Sequence, residues 1–147
     1  MYALTGERKY AEKFREVMLR LAQVYPHYLP HDWNHVYPDY SNLQSGKLSG
    51  WKLSDAGVFS DLAIAYDLTY NSGVYSDEDK SIIEERCFRD FNRLMTATSA
   101  RGCCINDGPI AMAAGALTGL MVGDHDTIAW AIEPPEGYIG FLEDYFL

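Results

Sequence analysis

Ser54-Asp55-Ala56-Gly57-Val58-Phe59-Ser60-Asp61-Leu62-Ala63-Ile64-Ala65-Tyr66-Asp67-Leu68-Thr69-Tyr70 is the stretch that decides the fold class. It opens on a good capping residue and contains no proline. Val58, Phe59, Leu62, Ala63, Ile64, Ala65, Tyr66 and Leu68 put apolar side chains on nearly every side of a 3.6-residue turn. A helix of that kind has to be enclosed by others, so the pattern predicts a buried helix over 54–70 inside an all-α chain. Asn71, Ser72 and Gly73 end it.

Working outward, the neighbouring helices are two-faced. Upstream, Tyr10, Ala11, Phe14, Val17, Met18, Leu21 and Tyr25 recur at three-and-four spacing among charged residues, which predicts an amphipathic helix over about 7–25, stopped by Pro26 and Pro30. Downstream, Ser76 followed by Asp79 resembles a capping box and opens a helix over about 77–98. Its stripe is Ile83, Cys87, Phe88, Phe91, Leu94 and Met95, set beside Glu84, Glu85, Arg86, Arg89, Asp90 and Arg93. Asn106 then stands as an N-cap before Pro109 and an alanine-rich run to Met121, a helix expected to be wholly buried. Gly123 closes it, Asp124 or Asp126 opens a short helix through Ile132, and Tyr138 to Phe146 begins another. Leu4-Thr5-Gly6 reads as the end of an earlier one.

Two-faced and buried helices therefore alternate, as expected for antiparallel helix hairpins forming part of a double-layered ring, an incomplete (α/α) toroid. The corners Leu4-Thr5-Gly6-Glu7 and Gly123-Asp124-His125 echo one another weakly.

At 147 residues the chain has the size of one domain, with 48% hydrophobic and 22% charged residues and a high aromatic share of 14%. Disorder is excluded on that composition. Lys and Arg total 12 against 21 for Asp and Glu, a net charge of −9, which argues against a nucleic-acid partner. The longest apolar run, Gly108 to Gly123, is too short and too glycine-rich to span a membrane, and no membrane partner is expected. No secretion signal precedes the first helix. Cys87, Cys103 and Cys104 match neither zinc spacing nor a disulfide framework and are read as free thiols.

Chemistry-bearing residues concentrate in the segment from Pro26 to Lys52, long for a helix connection. It holds Tyr28, Trp33, Tyr37, Tyr40 and Trp51 with His27, His31 and His35. Flat aromatic faces beside hydrogen-bonding groups suit sugar rings, so Trp51, Trp33, Tyr37 and His31 are candidate substrate-binding residues. The competing reading makes the aromatics an apolar plug over the end of the ring. The four-residue spacing of the histidines would make metal ligands only on a helix, which Pro26 and Pro30 oppose, so no metal is expected. Asn106 either caps its helix or directs its amide toward a substrate carboxylate, where it would stabilise an enolate. No phosphate loop, nucleophile elbow or other cofactor motif is present, and no cofactor is expected.

Several stretches taken together resemble the helical domain of the heparinase II/III-like and alginate-lyase-like polysaccharide lyases. They are, in order, Ala3-Leu4-Thr5-Gly6-Glu7-Arg8-Lys9-Tyr10-Ala11-Glu12-Lys13, Gly46-Lys47-Leu48, Leu53-Ser54-Asp55-Ala56 and Ala65-Tyr66-Asp67-Leu68. Ser72-Gly73-Val74-Tyr75-Ser76-Asp77-Glu78-Asp79, Ile82-Ile83-Glu84-Glu85 and Ile105-Asn106 follow, the last leading into a helix that ends Gly123-Asp124. The resemblance implies a toroid whose cleft binds an acidic polysaccharide of alginate or heparan-sulfate type and cleaves it by β-elimination. An Asn or His neutralises the uronate carboxylate, and a Tyr or His moves the C5 proton and protonates the leaving oxygen. Asn106 matches the family's asparagine, while Asp107 stands where similar sequences carry His or Trp. Trp51 falls where the family presents a polar or aromatic side chain to the cleft.

The same resemblance implies that the tyrosine-bearing motif would follow beyond Leu147. It makes residues 1–147 a single all-α unit of a larger catalytic domain, inactive alone, with an open face available for self-association. It also implies a periplasmic or secreted setting. Two other readings compete: a non-catalytic helical module that binds carbohydrate or protein, and a toroid glycoside hydrolase drawing two carboxylates from Asp55, Asp61, Asp67 and Asp107.

Overall fold

The computed structural model describes residues 1–37, 44–97 and 107–146 and is all-α, with only isolated bridges from His31 to Val36 and Gly46 in place of strands among them. The helices are α1 (Tyr2–Thr5), α2 (Arg8–Val24), α3 (Lys52–Tyr70), α4 (Asp77–Ile83), α5 (Asp90–Thr96), α6 (Asp107–Val122), α7 (His125–Ile132) and α8 (Tyr138–Phe146). No helix among the described residues is long and apolar enough to cross a membrane.

Cross-contacts fix the direction of each helix. Arg15 of α2 meets Asp79 of α4, and the Cys87 thiol donates to the Met18 carbonyl further along, so α2 runs parallel to the 77–96 helix. Lys52 reaches Met95 at one end of α3 and Tyr66 reaches Glu84 at the other, so α3 runs against that helix. Asn92 pairs with Thr118 and Arg89 with Val122, so α6 runs against it too. The helices α3 and α6 are therefore parallel neighbours that begin at the same end of the molecule. On α6, Gly115 and Gly119 let α7 approach: a Cβ on either would lie 2.9 Å from Trp130 or Ile128 respectively. The antiparallel helix neighbours expected from the sequence are present, α3 and α6 each running against the 77–96 helix.

The core is aromatic. Phe59 stacks on Phe91 with ring centroids 4.1 Å apart and meets Tyr25 and Phe88 at 4.9 and 6.4 Å. Both tight corners use a left-handed glycine, Gly6 at φ 68° and Gly123 at φ 62°, which gives the weak sequence echo a shared geometry.

Three expectations are corrected. The helix over 77–98 is not uniform: Glu84–Arg89 is a π-helical segment joining α4 to α5. Its wider turn re-phases the buried face, so that Asp90, read from the sequence as part of the polar face, is buried beside Phe91. Neither of the apolar helices is fully enclosed. Val58, Ile64 and Leu68 of α3 are 43–54% exposed, and Ile110 and Leu120 of α6 are 41% and 66% exposed, on faces that the other described elements leave uncovered. Finally, α3 starts at Lys52 with Trp51 in the capping position, placing Ser54 inside the first turn.

The capping box is formed in full. Asp79 N–H donates to Ser76 Oγ and Ser76 N–H to Asp79 Oδ2, while Arg15 adds a two-pronged pair at 2.8 and 2.9 Å. Those donors, the Arg15 hydrogen bonds foremost, hold the Asp79 carboxyl down from its ordinary 3.8 to about 2. Because the folded value lies below the unfolded one, the stabilisation is complete above roughly pH 5 and is lost as pH falls toward 2. Asp79→Asn is therefore expected to cost about 1–2 kcal/mol at neutral pH. In denaturant melts taken from pH 7 to pH 2, the gap between wild type and variant should close at the acid end.

Candidate functional site

The segment between α2 and α3 is built on one buried carboxylate. Asp55, in the first turn of α3 and fully buried, accepts hydrogen bonds from the backbone N–H groups of Lys47, Leu48 and Ser49 at 2.6, 3.0 and 3.1 Å. The Ser49 hydroxyl adds a fourth at 2.9 Å. Gly46 sits so close that a Cβ there would be 2.8 Å from the Asp55 carboxyl carbon. Past this anchor the lysines turn inward. Lys47 Nζ lies 2.5 Å from Asp90 Oδ2 and 4.5 Å above the Tyr25 ring, and Lys52 Nζ donates to the Met95 carbonyl at 3.0 Å.

The outer half of the segment is tied to this floor. His31 N–H donates to Gly46 O at 2.9 Å and Tyr37 N–H to Pro30 O at 2.7 Å. Between them Asp32 closes a turn by accepting from the N–H groups of Asn34 and His35 at 2.7 and 2.8 Å. Tyr37 donates its hydroxyl to the other Asp32 oxygen at 2.7 Å. The hydrogen bonds from Asn34 N–H, Tyr37 and His35 N–H lower the Asp32 pKa and keep its carboxylate ionised.

Trp33 is carried at the tip of that turn, 85% exposed, across from Trp51, which is 40% exposed. With Asp32, Asn34, Gln44, Gly50 and Asp107 they line a cleft of about 380 Å³. It opens where α3 and α6 both begin. Asp107, only 8% exposed, stands in the first turn of α6.

Of the residues singled out from the sequence, Trp33 and Trp51 come together here. An exposed Trp33 does not fit the plug reading. His31 lies behind Gly50, its Cδ2 3.3 Å from where a Gly50 Cβ would stand and its Nδ1 3.1 Å from Leu29 O. It lines a separate hollow with His27, Tyr28, Leu29, Val36, Lys47 and Leu48 instead of the tryptophan cleft. Tyr37 also stays out of the cleft lining and acts on it through Asp32. Asn106, Cys103, Cys104 and Tyr40 lie outside the described residues. Cys87 is a buried free thiol, its pKa pushed up to about 12 chiefly by desolvation, which makes it a packing group.

The carboxylates proposed for hydrolysis are dispersed. Asp55 is consumed by the loop, Asp61 and Asp67 are exposed along α3, and only Asp107 faces the cleft, with Asp32. No group of three His, Cys, Asp or Glu side chains among the described residues is placed to hold a metal ion. Asp32, Asn34, Gln44 and Gly50 were not anticipated as lining residues. The spacing of Asp32 to Asn34 and His35, an acceptor two and three residues before free N–H groups, is the signal that marks the turn.

The class defined by these features is an all-α chain with an aromatic cleft, rimmed by carboxylates and amides, at the shared end of two parallel helices. No family model matches the chain. Over 129 residues it is 27% identical to an alginate lyase of Stenotrophomonas maltophilia (strain K279a), an alignment covering 87% of this chain and 16% of that protein. The chain thus spans about a sixth of that relative's length, and the likeness supports a relationship to polysaccharide lyases.

Proposed function

We propose that the chain is part of a polysaccharide lyase of the heparinase II/III-like and alginate-lyase-like group, acting on a uronate-containing glycan. The observation that carries the reading is the cleft bearing Trp33 and Trp51 at the common start of α3 and α6, in a chain similar along most of its length to an alginate lyase. Exposed indole faces flanked by Asn34, Gln44 and carboxylates are what a sugar presents itself to, with C–H bonds on its face and hydroxyls on its edge.

In the proposed reaction a base takes the C5 proton of the uronate, the C4–O bond breaks, a C4–C5 double bond forms, and the leaving oxygen is protonated. The carboxylate beside C5 gains charge as the proton leaves. Asn106, immediately before α6, is assigned the neutralising amide. The tyrosine or histidine that moves the proton is assigned to a part of the protein outside residues 1–147. The helix directions and the uncovered apolar faces of α3 and α6 agree with an arc of an α/α toroid.

The test is to incubate the full-length gene product with alginate and with heparan sulfate and follow the ultraviolet absorbance of unsaturated uronate ends. Absorbance should rise on at least one polymer. Release of reducing ends without that absorbance would favour the hydrolase reading. Trp33→Ala in the same protein should raise KM by about tenfold with little change in kcat, the loss of one stacking platform. An unchanged KM would place the substrate elsewhere.

A further inference from the structure

Trp51 lines the tryptophan cleft, and its indole is only as fixed as the backbone that carries it. The residue before it, Gly50, also lines the cleft and lies in the left-handed region at φ 72°. Glycine is the most permissive joint the chain offers, so something besides its own sterics has to set the direction in which Trp51 leaves it. A bulkier residue would not stiffen the joint cleanly: a Cβ on Gly50 would crowd His31 Cδ2 at 3.3 Å and carry the strain of a positive φ.

The Ser49 hydroxyl supplies the constraint. It accepts the Trp51 N–H at 3.3 Å, closing a turn across Gly50. Its own proton has two acceptors in reach, Asp55 Oδ1 at 2.9 Å and the Trp51 carbonyl at 3.0 Å. That carbonyl also accepts the N–H groups of Ser54 and Asp55 at 3.1 and 3.2 Å. The backbone on both sides of the Trp51 side chain is thereby tied to fully buried Asp55, through Ser49 on the N–H side and through the first turn of α3 on the other. Ser49 itself is exposed, so it can be changed without opening the core. We infer that Ser49 is a positioning residue for the sugar-binding cleft, holding the Trp51 indole in its binding orientation before substrate arrives. A platform fixed in advance gives up little freedom on binding, and one swinging on a free glycine joint gives up more. The inference rests on the lyase reading and adds the residue that steadies its cleft.

The experiment is a double-mutant cycle in the full-length gene product with alginate and heparan sulfate, affinity being read as KM where the wild type turns a polymer over and as a calorimetric Kd where it does not. Ser49→Ala should weaken affinity about fivefold with kcat within about twofold of wild type, and Ser49→Thr, which keeps the hydroxyl, should restore it. In a Trp51→Ala background Ser49→Ala should change affinity less than about twofold, because there is no indole left to position. Should Ser49→Ala fold poorly, Ser49→Cys, with a weaker donor and acceptor on a side chain of similar shape, carries the same test. A lowered urea midpoint with affinity unmoved would show a merely structural role and overturn the inference while leaving the lyase reading intact. Additive losses in the cycle would also overturn it, since Ser49 would then act independently of Trp51. Binding of neither polymer by the wild type overturns the cleft as a sugar site and the inference with it. The absorbance of unsaturated ends, measured on the wild type alone, tests the lyase reading separately.

Discussion

Asp55→Ala is expected to lower folding stability by about 3–5 kcal/mol, the cost of removing one partner from a buried, fully engaged charged network. The carboxylate is completely buried and satisfies the N–H groups of Lys47, Leu48 and Ser49 and the hydroxyl of Ser49. Alanine would leave those donors facing a void too small to hydrate them well. The loss would spread, because the same loop aims Lys47 at Asp90 and Tyr25. Asp55→Asn keeps the shape but turns an amide N–H₂ toward donors, so an intermediate loss of about 2–3 kcal/mol is expected. Asp61→Asn, on the exposed side of the same helix, should stay within about 0.5 kcal/mol of wild type. Urea melts of the three variants decide the matter. A loss under about 1 kcal/mol for Asp55→Ala would mean that the loop is not anchored on this carboxylate.

Phe59→Ala carries the second large effect, about 3–5 kcal/mol. Its ring is fully buried, stacked on Phe91 at an interplanar angle of 11° and set against Tyr25 and Phe88, so truncation opens a cavity where three helical elements meet. The rigid rings around it have little freedom to collapse inward. Phe59→Leu should recover more than half of the loss. The double variant with Phe91→Ala should cost less than the sum of the singles, because each single change already forfeits the shared stacking. Additive losses in thermal or urea melts would contradict the stacked geometry.

Helix placement was legible because it depends on local signals. Prolines, left-handed glycines and the Ser76–Asp79 capping box mark ends wherever the chain goes, and α2, α7 and α8 fall close to where periodicity puts them. Enclosure was less legible. An all-apolar helix such as α3 states that its faces avoid water, not which described neighbours cover them, and Val58, Ile64 and Leu68 remain open here. The π-segment at Glu84–Arg89 was hidden because one wider turn leaves composition unchanged while rotating everything after it.

The candidate site was read in part. Aromatic enrichment between α2 and α3 pointed to Trp33 and Trp51, but the pattern gave no means to separate them from His31, which Gly50 divides from the cleft. Asp107 was recognised as a departure from the residue types similar sequences carry and as one of four carboxylates open to a hydrolase, not as part of an aromatic cleft. Its place on the cleft wall comes from the parallel run of α3 and α6, a tertiary fact. Asp55 and Lys47 lay within stretches that carried the family resemblance. Their role is to fix the loop that presents the tryptophans, which chemistry-bearing spacing alone does not distinguish from catalysis.

Under the proposed lyase function a glycosidic C–O bond breaks by elimination. Its most direct test is mass spectrometry of the products formed when the full-length gene product cleaves a uronate polysaccharide in heavy-oxygen water. Elimination gives fragments whose new non-reducing ends lack the elements of one water and whose cleaved bonds have taken up no label at the moment of scission. Fragments of full hydrated mass with heavy oxygen incorporated at each cleavage, beyond the exchange shown by an uncleaved reducing sugar, would establish hydrolysis and contradict it.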